Sequence, residues 1–355
     1  MSNQSEHRRR DLGVRAGGAL LAAALALLGA CAPASPASAP TGAAPGQAAP
    51  AARGTLRLAV AGMDTNTYSV IYIADKEGYF QEQGLTLDVK EANPPVATQA
   101  LIAGQFDLAH AASPGIAAAL KGAPLKMIFV IAEPSPYWII GKKDLKTWTD
   151  LKGKTIGVSS TTGTQVLDTS RVLALHGVNA QADGVNYVVP GGPGDEQKVA
   201  ALRAGSIDAG VFASTGAVVA TDDGFSLLGD MHAINTYDYT LWANNPTMTN
   251  KADLVRAFVT GTLKGLKIFK HDNAKAVEYV TQQLDGNRHW GEKVVELSAP
   301  WFTEDGLPTD AGLREAIRYK EEASGEPSTA GPDQWSALDF VRQANDELTR
   351  TGWKP

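Results

Sequence analysis

Two acids, Asp64 and Glu133, stand where apolar runs pass into turns, and each has a tyrosine four residues on, Tyr68 and Tyr137. A carboxylate so placed can accept from an amine or from a ring amino group. Tyr68, Tyr137, Trp138 and Phe212 could sandwich a flat ring. A second chemistry sits in Ser160-Thr161-Thr162-Gly163-Thr164, whose hydroxyls and free N–H groups at a helix start suit an oxyanion. The same residues can cap that helix, and one residue can do both. Asn66, Ser113 and Ser214 complete the expected ligand-binding set of Asp64, Asn66, Tyr68, Ser113, Glu133, Tyr137, Thr161, Thr162, Gly163, Thr164, Phe212 and Ser214. Glu133 follows the apolar run Leu125–Ala132, where an acid needs a partner. That partner is either a ligand or a nearby Lys or backbone amide. No Arg or Lys falls in these loops, which fits poorly with a strong anion held by a salt bridge.

Nothing in the sequence is arranged for catalysis. There is no Gly-x-Ser-x-Gly elbow, and the six histidines show no metal-ligand spacing. Gly153-Lys154-Thr155 resembles the end of a phosphate loop, but Trp148 occupies the place of the required earlier glycine. The expectation is no enzyme, no catalytic residue, no metal and no cofactor.

These loops need strands to hold them. Thr55–Ala61 alternates as a strand and Val70–Glu82 has helical spacing; strands at 85–90, 106–111 and 125–132 follow, with helices at 98–103 and 114–121. The pattern restarts after Trp148, with strands at 155–159, 185–189 and 207–212 and helices at 164–176 and 195–204. From Lys251 the chain reads as helices 251–270, 273–284, 310–323 and 334–350, with Asp272 and Thr309 as N-caps. Repeated strand–helix–strand units imply α/β lobes with mostly parallel sheets. The candidate residues lie at the carboxyl ends of strands, the edge that faces a ligand crevice in open α/β sheets. Two extended aromatic segments, Tyr137–Lys143 and Tyr237–Asn244, would carry the chain between lobes and make a hinged, cleft-containing protein. The expected division is 55–138 with 243–355 as lobe one and 139–242 as lobe two.

Ahead of this body lies Arg8-Arg9-Arg10 with Arg15, then a mostly Ala/Leu run from Gly17 to Ala30. A basic stretch, a short apolar run and small residues describe an export signal over 1–30, and the run is shorter than the roughly 20 residues a spanning helix needs. Leu28-Gly29-Ala30-Cys31 resembles the lipobox of bacterial lipoproteins, and Cys31 is the only cysteine of the chain. The resemblance implies an acylated Cys31, a lipid anchor and an extracytoplasmic place in the cell envelope. Arg9-Arg10 also loosely resembles a twin-arginine signal, so the export route stays open. Residues 31–54 are almost all Ala, Pro, Ser, Thr, Gly and Gln and read as a flexible tether. The leader carries four Arg against Glu6 and Asp11, a surplus of two, so its removal takes the formal charge from −6 to −8. An acidic chain without Lys/Arg clusters argues against nucleic acid.

The segment IYIADKEGYFQEQGLTLDV, Ile71 to Val89, resembles the opening of the nitrate/sulfonate/taurine family of ABC-transporter substrate-binding proteins. AGQFDLA at 103–109, KGAPLK at 121–126, DLKGKTIGV at 150–158 and ALRAGSIDA at 201–209 follow in that family's order. The resemblance implies a two-lobed periplasmic-binding-protein fold of type II with two hinge crossings and a helical C-terminal tail. It also implies capture of a small molecule and delivery to an ABC permease. The ligand classes it leaves open are a sulfonate, a nitrate-like anion, and an amino or pyrimidine metabolite. Two other readings stand beside it: a ligand sensor or scavenger of the same fold, and an enzyme like the fungal pyrimidine-precursor synthases. The second needs a cysteine-rich motif, and no cysteine follows Cys31.

Overall fold

The computed structural model describes residues 54–62, 66–161, 164–192, 194–325, 327 and 331–355. The leader, Cys31, the tether up to residue 53, Asp64, Thr162 and Gly163 lie outside the described residues, and Gly54 already belongs to the first strand.

Among the described residues, ten strands form two five-stranded sheets. The first holds β1 (Gly54–Val60), β2 (Leu85–Glu91), β3 (Leu108–Ala109), β4 (Leu125–Pro134) and β10 (Asn235–Asn244). The second holds β5 (Trp138–Gly141), β6 (Thr155–Gly157), β7 (Asn186–Val188), β8 (Ala209–Phe212) and β9 (Ser226–Asp230). Their orders are β2-β1-β3-β10-β4 and β7-β6-β8-β5-β9, the same winding twice. β1 pairs in parallel with β2 and β3, whereas β10 runs antiparallel to β3 and β4. In the second sheet β6 pairs in parallel with β7 and β8, and β5 runs antiparallel to β8 and β9. Each sheet is therefore mixed, with one strand reversed, and in each case the reversed strand follows a change of sheet. The chain passes from the first sheet to the second between Pro134 and Trp138 and returns between Asp230 and Asn235. Of the two segments expected to be crossings, Tyr137–Lys143 is thus mostly β5 of the second sheet and Tyr237–Asn244 lies wholly within β10 of the first.

Helices cover both faces of the first sheet. One face carries 66–76, 252–271, 273–283, 288–298 and 339–351 over a core built around Leu56, Leu58, Ile128 and Leu241. The other carries 94–102, 112–120 and 310–324 over Ala59, Met127, Val130 and Trp242. The second sheet has its own two cores, around Ile139, Ile156 and Val211 and around Ile140, Leu202 and Phe212. Both expected caps are formed: Asp272 accepts from the Lys275 amide and Thr309 from the Gly312 amide. Helices Ser214–Asp222, Asn245–Asn250 and Arg288–Ser298 and strand β9 were not expected from the sequence.

Helix 252–271 crosses helix 66–76 at very short range. A Cβ on Gly265 would lie 2.0 Å from the Val70 carbonyl oxygen, and one on Gly261 would lie 2.5 Å from the Phe80 ring. Gly265→Ala gains up to about 1 kcal/mol of helix propensity. It must also push a backbone carbonyl aside, and overpacking of this kind costs roughly 1–3 kcal/mol or more. Net destabilisation is expected, read as a lower urea midpoint; an unchanged or raised midpoint would mean the helices separate without cost.

Candidate functional site

Where β3 ends, His110 and Ser113 are buried, and Ala111 adopts a helical conformation that starts helix 112–120. Ser113 lies within the first turn and is not the N-cap; its hydroxyl donates to the Thr236 carbonyl at 3.3 Å. Facing them on β10 is Asp238, only 7 % exposed, whose carbonyl oxygen is bonded by His110 Nε2. The Asp238 carboxyl is pushed up to about 6, first by burial; the Lys320 charge and hydrogen bonds from Thr236 and Ser113 pull it partly back. Burial likewise drives the His110 imidazole down to about 4, which keeps it neutral near pH 7.

Lys320 comes from the C-terminal helix 310–324. Its pKa is lowered by burial, raised by Asp238 and Asp168, and lowered by Arg171. Asp168 and Arg171 belong to helix 164–175, which follows β6 of the second sheet, and Asp168 is fully buried. The Tyr137 hydroxyl, at the first crossing, is held well above the usual phenol range by burial and then by Asp238, Tyr239 and Asp168. Charged groups carried by both sheets thus act on one another across a shared buried region. His110 Nδ1 and the Ser135 hydroxyl are buried without a hydrogen-bond partner among the described residues.

The expected residues divide around this cluster. Ser113 and Tyr137 belong to it. Glu133 is buried, but its carboxylate accepts from the Thr309 amide and, at 3.0 Å, from the Thr309 hydroxyl. It therefore ties the end of β4 to the start of helix 310–324, the backbone-amide alternative. Phe212 is fully buried in the second sheet's core, beneath the Lys198 ammonium at 5.3 Å, so its ring is packing and not a ligand sandwich. Ser214 is buried at the start of helix 214–222, and Thr161 is exposed. Asn66 and Thr164 open helices 66–76 and 164–175. Tyr68 packs on the first core with its ring 6.1 Å from Tyr72, and burial raises its hydroxyl pKa.

Sequence reasoning missed His110, Asp168, Arg171, Asp238 and Lys320. The signal for three of them was helical spacing. Asp168 and Arg171 are one turn apart on one face, and Lys320 shares the face of the buried Leu313 and Ala316. The missing cations are therefore present, carried on helices a turn or more from the loops.

A buried ion pair braces the second sheet's loops. Lys198, 1 % exposed, meets Asp195 at 2.7 Å, donates to the Val211 carbonyl and reaches the Ser159 hydroxyl at 3.3 Å. Asp195 in turn accepts from the Ala213 amide at 3.0 Å. Among the described residues no group of three His, Cys, Asp or Glu side chains is placed to hold a metal ion. Nor is any described helix long and apolar enough to cross a membrane.

The family model described as NMT1/THI5 like matches residues 65–276. No curated protein matches the sequence. Among solved structures, the alkanesulfonate-binding protein SsuA from Xanthomonas axonopodis pv. citri, bound to MOPS, has a TM-score of 0.62 at 18% identity, covering 82% of this chain and 97% of its own. The periplasmic sulfonate-binding protein SsuA from Methylobacillus flagellatus KT gives 0.62 at 18%, over 86% of this chain and 98% of its own. The desulfurization enzyme DSZB gives 0.58 at 14%, over 82% of this chain and 99% of its own. The fold is the periplasmic-binding-protein α/β fold with a helical C-terminal region, and similar structures include both binding proteins and an enzyme.

Proposed function

The chain belongs to the NMT1/THI5-like family, and from that premise we propose that it is the extracytoplasmic substrate-binding subunit of an ABC importer. It holds a small organic molecule between two lobes that follow the sheets, 54–136 with 235–355 and 137–234. The observation that carries this reading is the buried charged cluster. Two buried acids, Asp238 on the first sheet and Asp168 on a helix of the second, with Lys320 and Arg171 beside them, form a site that a small polar ligand complements. Such a ligand offers hydrogen bonds to both acids and bases, which suits an amine- or ring-bearing metabolite and also an aminated sulfonate. The rival reading, an enzyme like the pyrimidine-precursor synthases, needs a cysteine-rich motif, and residues 54–355 contain no cysteine.

Native mass spectrometry of protein isolated from its own host tests the reading. One small molecule per chain is expected, and loss of that adduct on mild denaturation. Protein that remains free of any adduct, with no change in melting temperature across a metabolite extract, would overturn it.

Anchoring is part of the same proposal. Acylation at Cys31 places the protein on the outer side of a membrane, and the tether over 31–54 gives it reach to a permease. Cys31→Ala should leave a folded protein that incorporates no tagged fatty acid and leaves the membrane fraction. Label retained by the variant would contradict the anchor.

A further inference from the structure

The segment Arg288–Trp301 of the C-terminal tail bonds a helix of the second sheet and also packs into the first sheet's core. On one side, Val294 and Val295 are buried in the first sheet's core beside helix 273–283. On the other side it reaches across at both ends. At its start, His289 Nε2 lies 3.1 Å and Trp290 Nε1 3.0 Å from the two carboxylate oxygens of Asp222, the last residue of helix 214–222 behind the second sheet. Midway, Leu297 packs on the second sheet's core around Ile140 and Leu202.

At its end, the Trp301 ring stacks on His232 with centroids 3.8 Å apart and planes 25° apart. His232 sits on the return crossing, and its other side meets Trp138 of β5 edge-on, at 5.1 Å and 85°. Its Nδ1 lies 3.0 Å from the Asp230 carboxylate. Pro134 and Pro136 of the outgoing crossing line the same small pocket as Trp138, His232 and Trp301. Trp301 therefore stacks on the return crossing and shares a pocket with the outgoing one, and it is 40 % exposed, so it contributes little to either core.

We propose that Arg288–Trp301 is a strap that sets the angle between the two sheets, latched to the second sheet by Asp222 and by the Trp301–His232–Trp138 stack. Bending at the crossings changes the distance between Trp301 and His232, because one moves with the helical tail and the other with the second sheet. The stack and the Asp222 bonds must break or slide for that to happen. A ligand that favours one angle then works against or with a fixed, local set of contacts, so substitutions far from the binding cluster shift its affinity. This rests on the reading of two lobes that close on a ligand. Its test uses no ligand, so its failure leaves that reading standing.

Double electron–electron resonance between spin labels at Lys121→Cys and Gln181→Cys, in a chain carrying Cys31→Ser, reports the angle. Both labelled residues are exposed, one beside each sheet. The unmodified strap should give one narrow distance distribution. Trp301→Ala with Asp222→Asn should add a second, broader population absent from it, and Asp222→Asn alone should add a smaller one. Circular dichroism confirms that both variants fold. Distributions that superimpose on the parent in both folded variants would overturn the strap.

Discussion

Asp107→Ala should lower stability by roughly 2–3 kcal/mol, since it removes several charge-assisted hydrogen bonds to a buried carboxylate while leaving Arg57 and Lys251 in contact with water. The Asp107 side chain is 5 % exposed and joins three parts of the first lobe. It accepts from the Arg57 amide and Nε at 2.9 Å, from Arg57 Nη2 at 3.1 Å, from Thr247 at 3.3 Å and from Lys251 at 2.9 Å. Arg57 is on β1, and Lys251 stands just before helix 252–271. Burial alone would raise its pKa, but the Arg57 and Lys251 bonds outweigh that and hold it well below the usual carboxylate range. A depressed native pKa means the unfolded chain binds the proton first. The contribution is therefore complete above about pH 4 and is lost as pH falls further, toward the native value. Urea melts of wild type and Asp107→Asn should show a gap that is full at pH 7 and shrinks steadily below pH 4. A gap that does not depend on pH would mean the carboxylate's charge plays no part.

Asp238 behaves in the opposite way. Its native pKa is raised, so between about pH 4 and 6 the folded protein holds more protons than the unfolded one, and this group costs stability as pH rises through that window. Asp238→Asn should leave the empty protein's stability at pH 7 unchanged or slightly raised, because burial more than cancels what Lys320 returns. Ligand affinity should fall by about 2–5 kcal/mol, as for loss of one member of a buried charge contact. Calorimetry with the molecule that co-purifies, paired with thermal melts of the empty protein, separates the two effects. Wild-type affinity in Asp238→Asn would remove this acid from the site. An equal loss of stability and affinity would make it structural.

Much of the architecture was legible in the sequence, since period and punctuation carry it. The strand–helix alternation and the caps Asp272 and Thr309 have local causes, and all are found, although the helix expected over 70–82 ends at Lys76. What was not legible depends on partners distant in sequence. Helix 288–298 buries only Gly291, Val294, Val295 and Ser298, a narrow stripe among charges whose reason is the two sheets it touches. Glu133 looked like a ligand contact because its partner, Thr309, lies 176 residues away. Phe212 followed a strand as a site residue should, yet its ring turns back into the sheet's own core. Conversely, Asp238 lies between two tyrosines on a strand, and nothing local shows that it meets a lysine from the last third of the chain.

The central claim is a ligand held by groups from both sheets, and amide hydrogen exchange with and without the co-purifying molecule tests it most directly. Ligand should slow exchange in three separate segments at once: around His110–Ser113, along helix 164–175 near Asp168 and Arg171, and on helix 310–324 near Lys320. Protection confined to one sheet's segments, with the other unchanged at saturation, would contradict it.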